Sequence, residues 1–306
     1  MKTYYKYEDG VLERLQQTET EMLKVFDDIC QKYAIPYFVG FGTAIGTLRH
    51  GGFIPWDDDV DVCMMRDDFE KLKAVPAEEW QGLELSRPSD DYEAHVLIYP
   101  QIFKPGTVFQ TVIRARHDHY KKGAKHTTIP IWLDIFLFDR FDSPETVAKK
   151  AKRGLVLNKL FYYSKCRTFA DEGSTLAVRT LFVIKRLFYR IINISKKGTP
   201  WIYKKYIRHA TSSSGEYIAS FDLENTSEMT ACCWKYSDVF PEIRMKFGDM
   251  TVSVQKNYDE ALKTLYGDYM SLPPAEMQIN HPPKVLDFGD GKGNVIREYH
   301  AETVNK

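Results

Sequence analysis

Between Gly10 and Tyr33 an apolar residue returns at every seventh position, Leu15, Met22 and Ile29, with Val11, Leu12, Phe26 and Tyr33 on the same side of a helical wheel. The spacing predicts a long amphipathic helix that stops before Pro36. Ile35–Phe41 then reads as a short buried strand, Gly40-Phe41-Gly42-Thr43 as a turn, and the stretch from Ala44 to Arg49 as a helix. His50-Gly51-Gly52 links into Phe53-Ile54-Pro55-Trp56-Asp57-Asp58-Asp59-Val60-Asp61-Val62. Within it Asp59-Val60-Asp61-Val62 alternates polar and apolar. As a strand running on through Cys63 and Met64, it places both carboxylates on one face and both valines on the other. A helix from Asp67 to Ala74 follows.

From Leu83 to Ile113, alternating runs such as His95–Tyr99 and Val108–Val112, broken by Pro100, Pro105 and Gly106, predict two or three antiparallel strands. Ile129–Phe138 is nearly continuous apolar sequence holding one charge, Asp134, and reads as a central strand. Ser143-Pro144-Glu145 caps a helical region that lasts to Arg208. Inside that region Leu181, Ile184, Phe188 and Ile191 line one face and Arg179, Arg186 and Arg190 another. Tyr258–Leu265 is a short helix stopped at Gly267, with Pro273-Pro274 beyond. The pattern gives an α+β fold: a mixed β-sheet core flanked by helices, with a mainly helical C-terminal part. Its expected division is a catalytic core over 1–142, a helical region completing the cleft over 143–275, and a mobile tail over 276–306, which is rich in Gly, Pro and charge.

The chemistry enters through carboxylates. Asp57, Asp58, Asp59 and Asp61 repel one another at neutral pH, and a divalent cation is the most economical compensation. Asp134 is costly in a central strand unless it is paired, hydrogen-bonded or on a metal, which makes it the expected third carboxylate. The competing reading is an outward Asp capped by backbone N–H groups at a strand end.

Charge and cysteine content narrow the class. Among 306 residues, Lys plus Arg equals Asp plus Glu at 42 each, so the chain lacks the basic field of a nucleic-acid binder and phosphate recognition must be local. The basic run Arg114–Lys125 holds one acid, Asp118, and reads as a solvated loop that could also hold a phosphate. Five cysteines without CxxC spacing indicate neither a disulfide framework nor a zinc module, so a reduced, cytoplasmic setting is expected. Zinc held by Cys166, Cys232 and Cys233 competes with apolar packing of those thiols. The start of the chain has no apolar segment of the signal-peptide kind. No stretch of 143–208 is long enough to span a bilayer. Basic and aromatic residues over 176–197 permit a peripheral contact with anionic lipid at the inner face of the membrane, against the alternative that this helix packs on the core.

Phe41-Gly42-Thr43 and Arg49-His50-Gly51-Gly52-Phe53-Ile54-Pro55-Trp56-Asp57-Asp58-Asp59-Val60-Asp61 resemble the signature of the LicD family. Asp134-Ile135-Phe136-Leu137-Phe138-Asp139 is similar to that family's second acidic segment, and Leu265–Met270 with Leu272-Pro273-Pro274 to its C-terminal element. Leu137, Pro130 and Val252–Gln255 depart from the pattern without touching an acidic position. The resemblance, shared with fukutin-related proteins, implies a nucleotidyltransferase-like fold. It also implies an enzyme that moves phosphocholine or a polyol phosphate from a CDP-activated donor to a hydroxyl of a glycan or lipid-linked glycan. Asp59, Asp61 and Asp134 are then the expected catalytic and metal-binding residues, holding Mg²⁺ with Mn²⁺ as the alternate ion. Gly42, Thr43, Arg49, His50, Asp57, Tyr266 and Asp268 are the expected substrate contacts. Arg49 and His50 serve equally as scaffold partners for Asp57 or Asp58. Two other functions remain open: a nucleotidyltransferase forming an NMP-activated compound, and a non-catalytic scaffold of glycan assembly. A polymerase-like enzyme is opposed by the zero net charge.

Overall fold

The chain begins with β1 (Thr3–Tyr7) and α1 (Val11–Lys32), and the computed structural model describes residues 3–90, 95, 97–111, 128–165, 175–195 and 197–300. The basic run Arg114–Lys125 and Cys166 lie outside the described residues. Helix α1 buries Leu15, Met22, Leu23, Phe26 and Ile29, the stripe that the seven-residue spacing predicts. After β2 (Phe38–Val39), α2 (Phe41–His50) starts three residues earlier than the sequence suggests, because Gly40 is already extended and Phe41 turns directly into the helix. Gly51 closes α2 in the left-handed conformation at φ 67°.

Strand β3 (Asp61–Met65) leads into α3 (Arg66–Lys73); β4 (Glu84–Ser86), β5 (Gln101–Gln110) and β6 (Ile129–Phe141) follow. Ile98 and Tyr99, expected on a strand, lie in bends before β5. Pro105 and Gly106, expected as breaks, are instead carried inside β5, where the register against β6 shifts between Lys104 and Phe109. A bulge there absorbs the missing proline N–H.

Among the described residues eight strands form one mixed sheet, ordered β11-β5-β6-β3-β2 with β11 at Val285–Asp287, β4 on β5, and β7 (Tyr217–Ala219) with β8 (Trp234–Lys235) on the far end of β6. Only β3 and β6 run parallel in it, in register Asp61↔Asp134 through Met65↔Phe138. Strand β6 is central and covered on both faces, which accounts for its unbroken apolar sequence. Ile131, Leu133, Ile135 and Leu137 join a core with α1, while Phe136 and Phe138 join a second core on the opposite face. That second core takes α4 (Pro144–Lys165), part of α5 (Leu176–Asn193), and α6 (Gly198–Ala210). The Thr146 N–H donates to the Ser143 hydroxyl at 3.3 Å, so α4 has the cap the sequence suggests.

Beyond residue 143 the chain is not wholly helical. It supplies β7 (Tyr217–Ala219) and, past α7 (Thr226–Ala231), β8 (Trp234–Lys235). The helix α8 (Tyr236–Val239) then leads to the hairpin β9 (Ile243–Phe247) and β10 (Met250–Val254), and to α9 (Tyr258–Tyr266). The stretch expected as a mobile tail contributes β11 (Val285–Asp287) on β5 and β12 (Ile296–His300) on β1. These strands are short and separated by a link that holds Gly289, Gly291 and Gly293, and for that reason their pattern is faint in the sequence.

A buried ionic network ties the second core to the sheet. Arg66 donates to both carboxylate oxygens of Asp139 at 2.7–3.0 Å, Tyr206 donates to Asp222, and the Leu137 N–H donates to Asp222 at 2.9 Å. Arg66→Met leaves Asp139 buried without its cation, and its expected cost is about 3–5 kcal/mol in denaturant unfolding. An Arg66→Met protein as stable as the parent would contradict this assignment.

Candidate functional site

The site forms where β3 begins alongside the middle of β6, beneath the first turn of α2. Asp61 and Asp134 are register partners on adjacent parallel strands, so their side chains leave the same sheet face. Val60 and Val62 are fully buried on the other face, as the alternation requires. The Asp134 N–H donates to the Val60 carbonyl at 3.0 Å, which extends the pairing ahead of the strand. Asp59 sits in this lead-in, two residues before Asp61.

Several distant segments hold the acidic loop in place. Tyr7 donates its hydroxyl to Asp58 at 2.8 Å, and the backbone N–H of His281 donates to the same oxygen at 2.7 Å. Gln16 donates to the Asp57 carbonyl at 2.8 Å, and Gly248 N–H to the Gly51 carbonyl at 2.6 Å. Gly46 on α2 packs so closely on the loop that a Cβ there would stand 2.4 Å from the Gly52 oxygen. Asp58 is thus a scaffold residue, with its oxygens turned to β1 and to the C-terminal segment.

The substrate contacts expected from sequence divide by position. Gly42 is bare because a Cβ there would meet an Asp57 carboxylate oxygen at 2.6 Å, so Asp57 lies over the start of α2. The first-turn amides of a helix have no intrahelical carbonyl partners, and Gly40 supplies no side-chain cap, which makes this an anion-receptive end. Thr43 is buried and its hydroxyl accepts the Asp61 N–H at 2.9 Å, so it fixes the start of β3. Arg49 reaches neither Asp57 nor Asp58 in the ion pairs of the structure; it donates to the carbonyls of Tyr269 and Ser271 at 2.7 and 3.1 Å and to His50 at 2.9 Å. Burial and the neighbouring Arg49 lower the His50 imidazole below its ordinary value. Tyr266, at the end of α9, is 45% exposed, and its phenol is raised by desolvation and then by the charge of Asp61. Asp268 lies in an exposed turn, where it accepts the Ser271 hydroxyl at 2.5 Å.

Three contributors escape sequence reasoning. Glu19 of α1 is buried, and burial followed by Asp59, Asp58, Asp57 and Asp134 raises its carboxyl well above the usual range. Its signal was a charged residue inside the apolar stripe of α1, four residues after Leu15. Gln101 donates to Asp134 at 2.7 Å from the facing position on β5. Tyr99 packs on Phe136 with ring centroids 4.6 Å apart, its phenol raised by burial and then by Asp134 and Asp61.

The electrostatics have one sign. Burial, then neighbouring acids, raises Asp57, and burial with Asp58 raises Asp59; the two share a side-chain hydrogen bond. Asp61 is raised by burial, Asp59 and Asp134, and Asp134 is pushed up to about 7, mainly by burial. Oxygens of Glu19 and Asp57 are buried without a hydrogen-bond partner. Among the described residues no three His, Cys, Asp or Glu side chains are grouped closely enough to hold a metal ion as they stand. The hard oxygen donors, the unpartnered oxygens and the uncompensated charge nevertheless suit a divalent cation such as Mg²⁺. Cys232 packs in the second core, and burial raises its thiol and that of Cys233, which suits apolar packing better than a thiolate metal site.

A carboxyl raised in the folded state favours the protonated protein. Its stabilisation is present at low pH and lost as pH rises through the shifted value. The cation-free protein is expected to melt at progressively lower temperature from about pH 4 to pH 7, and Mg²⁺ to restore stability at the upper end only. Thermal melts across that range with and without Mg²⁺ check this; a pH-independent melting temperature that ignores Mg²⁺ would contradict it.

Comparison with known proteins places this site in context. Residues 34–146 match the nucleotidyltransferase domain of the LicD/FKTN/FKRP family. The chain is 27% identical over 263 residues to the lipopolysaccharide cholinephosphotransferase LicD of Haemophilus influenzae, spanning 85% of this chain and 91% of that protein. An uncharacterized protein of Rickettsia prowazekii is 34% identical over 55 residues, 18% of this chain and 21% of that one. The expected LicD resemblance is thereby borne out over the segment that carries Gly42, Asp59, Asp61 and Asp134.

Proposed function

Because residues 34–146 carry a LicD-family nucleotidyltransferase domain, we propose that this chain is a transferase moving a phospho-substituent from a CDP-activated donor to a hydroxyl of a surface glycan or its lipid-linked precursor. Phosphocholine is the favoured substituent, in keeping with the Haemophilus relative, a lipopolysaccharide cholinephosphotransferase. The observation that carries the reading is the pairing of Asp61 with Asp134 on parallel strands below the glycine-opened end of α2.

Phosphoryl transfer leaves little covalent work for side chains, so alignment and charge neutralisation carry it. Asp59, Asp61 and Asp134 would hold Mg²⁺, which when bound neutralises diphosphate charge. The first-turn amides of α2 at Phe41 and Gly42 face phosphate oxygens with the positive end of the helix. Gln101 fixes one oxygen of Asp134, leaving the carboxylate to orient the acceptor hydroxyl and take its proton. Without a cation burial pushes the Asp134 carboxyl up to about 7, and beside Mg²⁺ it would stay in the carboxylate form that accepts the proton. Asp58, Thr43 and Arg49 keep these parts in register through the contacts described above.

A donor screen with CDP-choline, CDP-ribitol and CDP-glycerol against glycan acceptors in Mg²⁺ tests the reading. The acceptor is expected to gain the mass of the phospho-substituent with release of CMP. Asp61→Asn is expected to lower turnover by about 10²–10³-fold or more with no loss of melting temperature. An Asp61→Asn protein of full activity would remove the site from the mechanism. NTP-dependent formation of an activated compound would instead select the nucleotidyltransferase reading, in keeping with the match of residues 34–146 to a nucleotidyltransferase domain.

A further inference from the structure

We propose that α5 lies in the plane of an anionic lipid bilayer and docks the chain on the membrane surface. This goes beyond the transfer reaction and stands on the helix itself.

None of the side chains of α5 is buried. The helix docks on the second core through Phe188 and Ile192, which occupy one side of its wheel. The sequence suggested that docking would consume its apolar face, but the structure leaves a second stripe outside. Val183, Ile184, Leu187 and Ile191 are each between 52% and 58% exposed, and Leu176 is 82% exposed. At the helical repeat these five fall within an arc of about 100°. Arg179, Arg186 and Arg190 run along one border of that arc. Lys185 lies away from it, its ammonium over the rings of Tyr163 and Phe182 at 4.4 and 4.7 Å.

Charge selects the occupant. From Gly173 to Gly215 the sequence contains nine Lys or Arg and no Asp or Glu. A bilayer with anionic headgroups offers negative charge directly above an apolar layer, the order in which α5 presents arginines and aliphatic side chains. The next helix, α6, carries Trp201 in its first turn, 58% exposed with the Lys205 ammonium 5.5 Å from its ring centroid; such a residue suits the headgroup level. No helix among the described residues is long and apolar enough to cross a membrane, so the contact is interfacial.

The test is co-sedimentation of the full chain with phosphatidylcholine vesicles and with vesicles containing about one third phosphatidylglycerol. Binding is expected to the anionic vesicles, weaker to the neutral ones and weakened by salt. Leu187→Ser with Ile191→Ser removes exposed apolar groups without touching a core, and is expected to lower affinity roughly tenfold or more. Arg179→Gln with Arg190→Gln is expected to lower it roughly twenty-five-fold, at about fivefold per arginine. Circular dichroism checks that each variant is folded, and unchanged transfer to a water-soluble acceptor separates this proposal from the reaction assigned above. Failure to bind anionic vesicles, or equal binding by the variants, overturns it. So does a dimer in solution that the serine variant dissolves while vesicle binding is unaffected, which would assign the stripe to a second copy.

Discussion

Mutual repulsion among buried and half-buried carboxylates is the constraint around which this fold is arranged. Glu19, Asp57, Asp59, Asp61 and Asp134 act on one another from α1, the acidic loop and two parallel strands, and burial raises each of them further. The fold does little to relieve this. Arg49 is bound to backbone carbonyls and Arg66 to Asp139, while His281 is engaged by Asp58 at the rim. Among the described residues none of these three cations is ion-paired with Asp57, Asp59, Asp61 or Asp134, which supports the proposed binding of a divalent cation.

The surrounding structure resists the relaxation such repulsion would drive. The loop cannot swing outward because Tyr7 and His281 pin Asp58, Gln16 pins Asp57, and Gly46 allows α2 to sit directly on the loop backbone. Asp61 cannot tilt because Thr43 holds its N–H and Gly40 N–H binds its carbonyl at 3.0 Å. Asp134 is held by its strand pairing and by Gln101. Rigid placement of unrelieved charge is a form of preorganisation: the reorganisation energy is met in folding, before a substrate arrives.

Much of this was legible in the sequence, for identifiable reasons. Short-range periodicity marked α1, β3 and β6, and the solitary Asp134 in an apolar run stood out because burial of an unpaired charge is costly. What sequence concealed was long-range. Gln101 and Asp134 face each other only through strand register, and His281 reaches Asp58 across 223 positions. Glu19 was hidden by its own helix, where one acid in an apolar stripe reads as noise until the loop it meets is known. The Thr43 hydroxyl, expected as a substrate contact, also carries a structural task hidden in the sequence, since it accepts the Asp61 N–H at the first residue of β3. In α5 the pattern was plain but its use was not, since only the packing tells which apolar side remains outside.

The central claim is that these carboxylates carry raised proton affinity and exchange it for a divalent cation. The direct measurement is calorimetric titration of Mg²⁺ at about pH 6.5 in two buffers of different ionisation enthalpy, below the value of about 7 toward which Asp134 is pushed. The account predicts net proton release on Mg²⁺ binding, lost in the Asp59→Asn, Asp61→Asn double variant. Mg²⁺ binding whose heat is independent of buffer, or that survives the double variant unchanged, would contradict it.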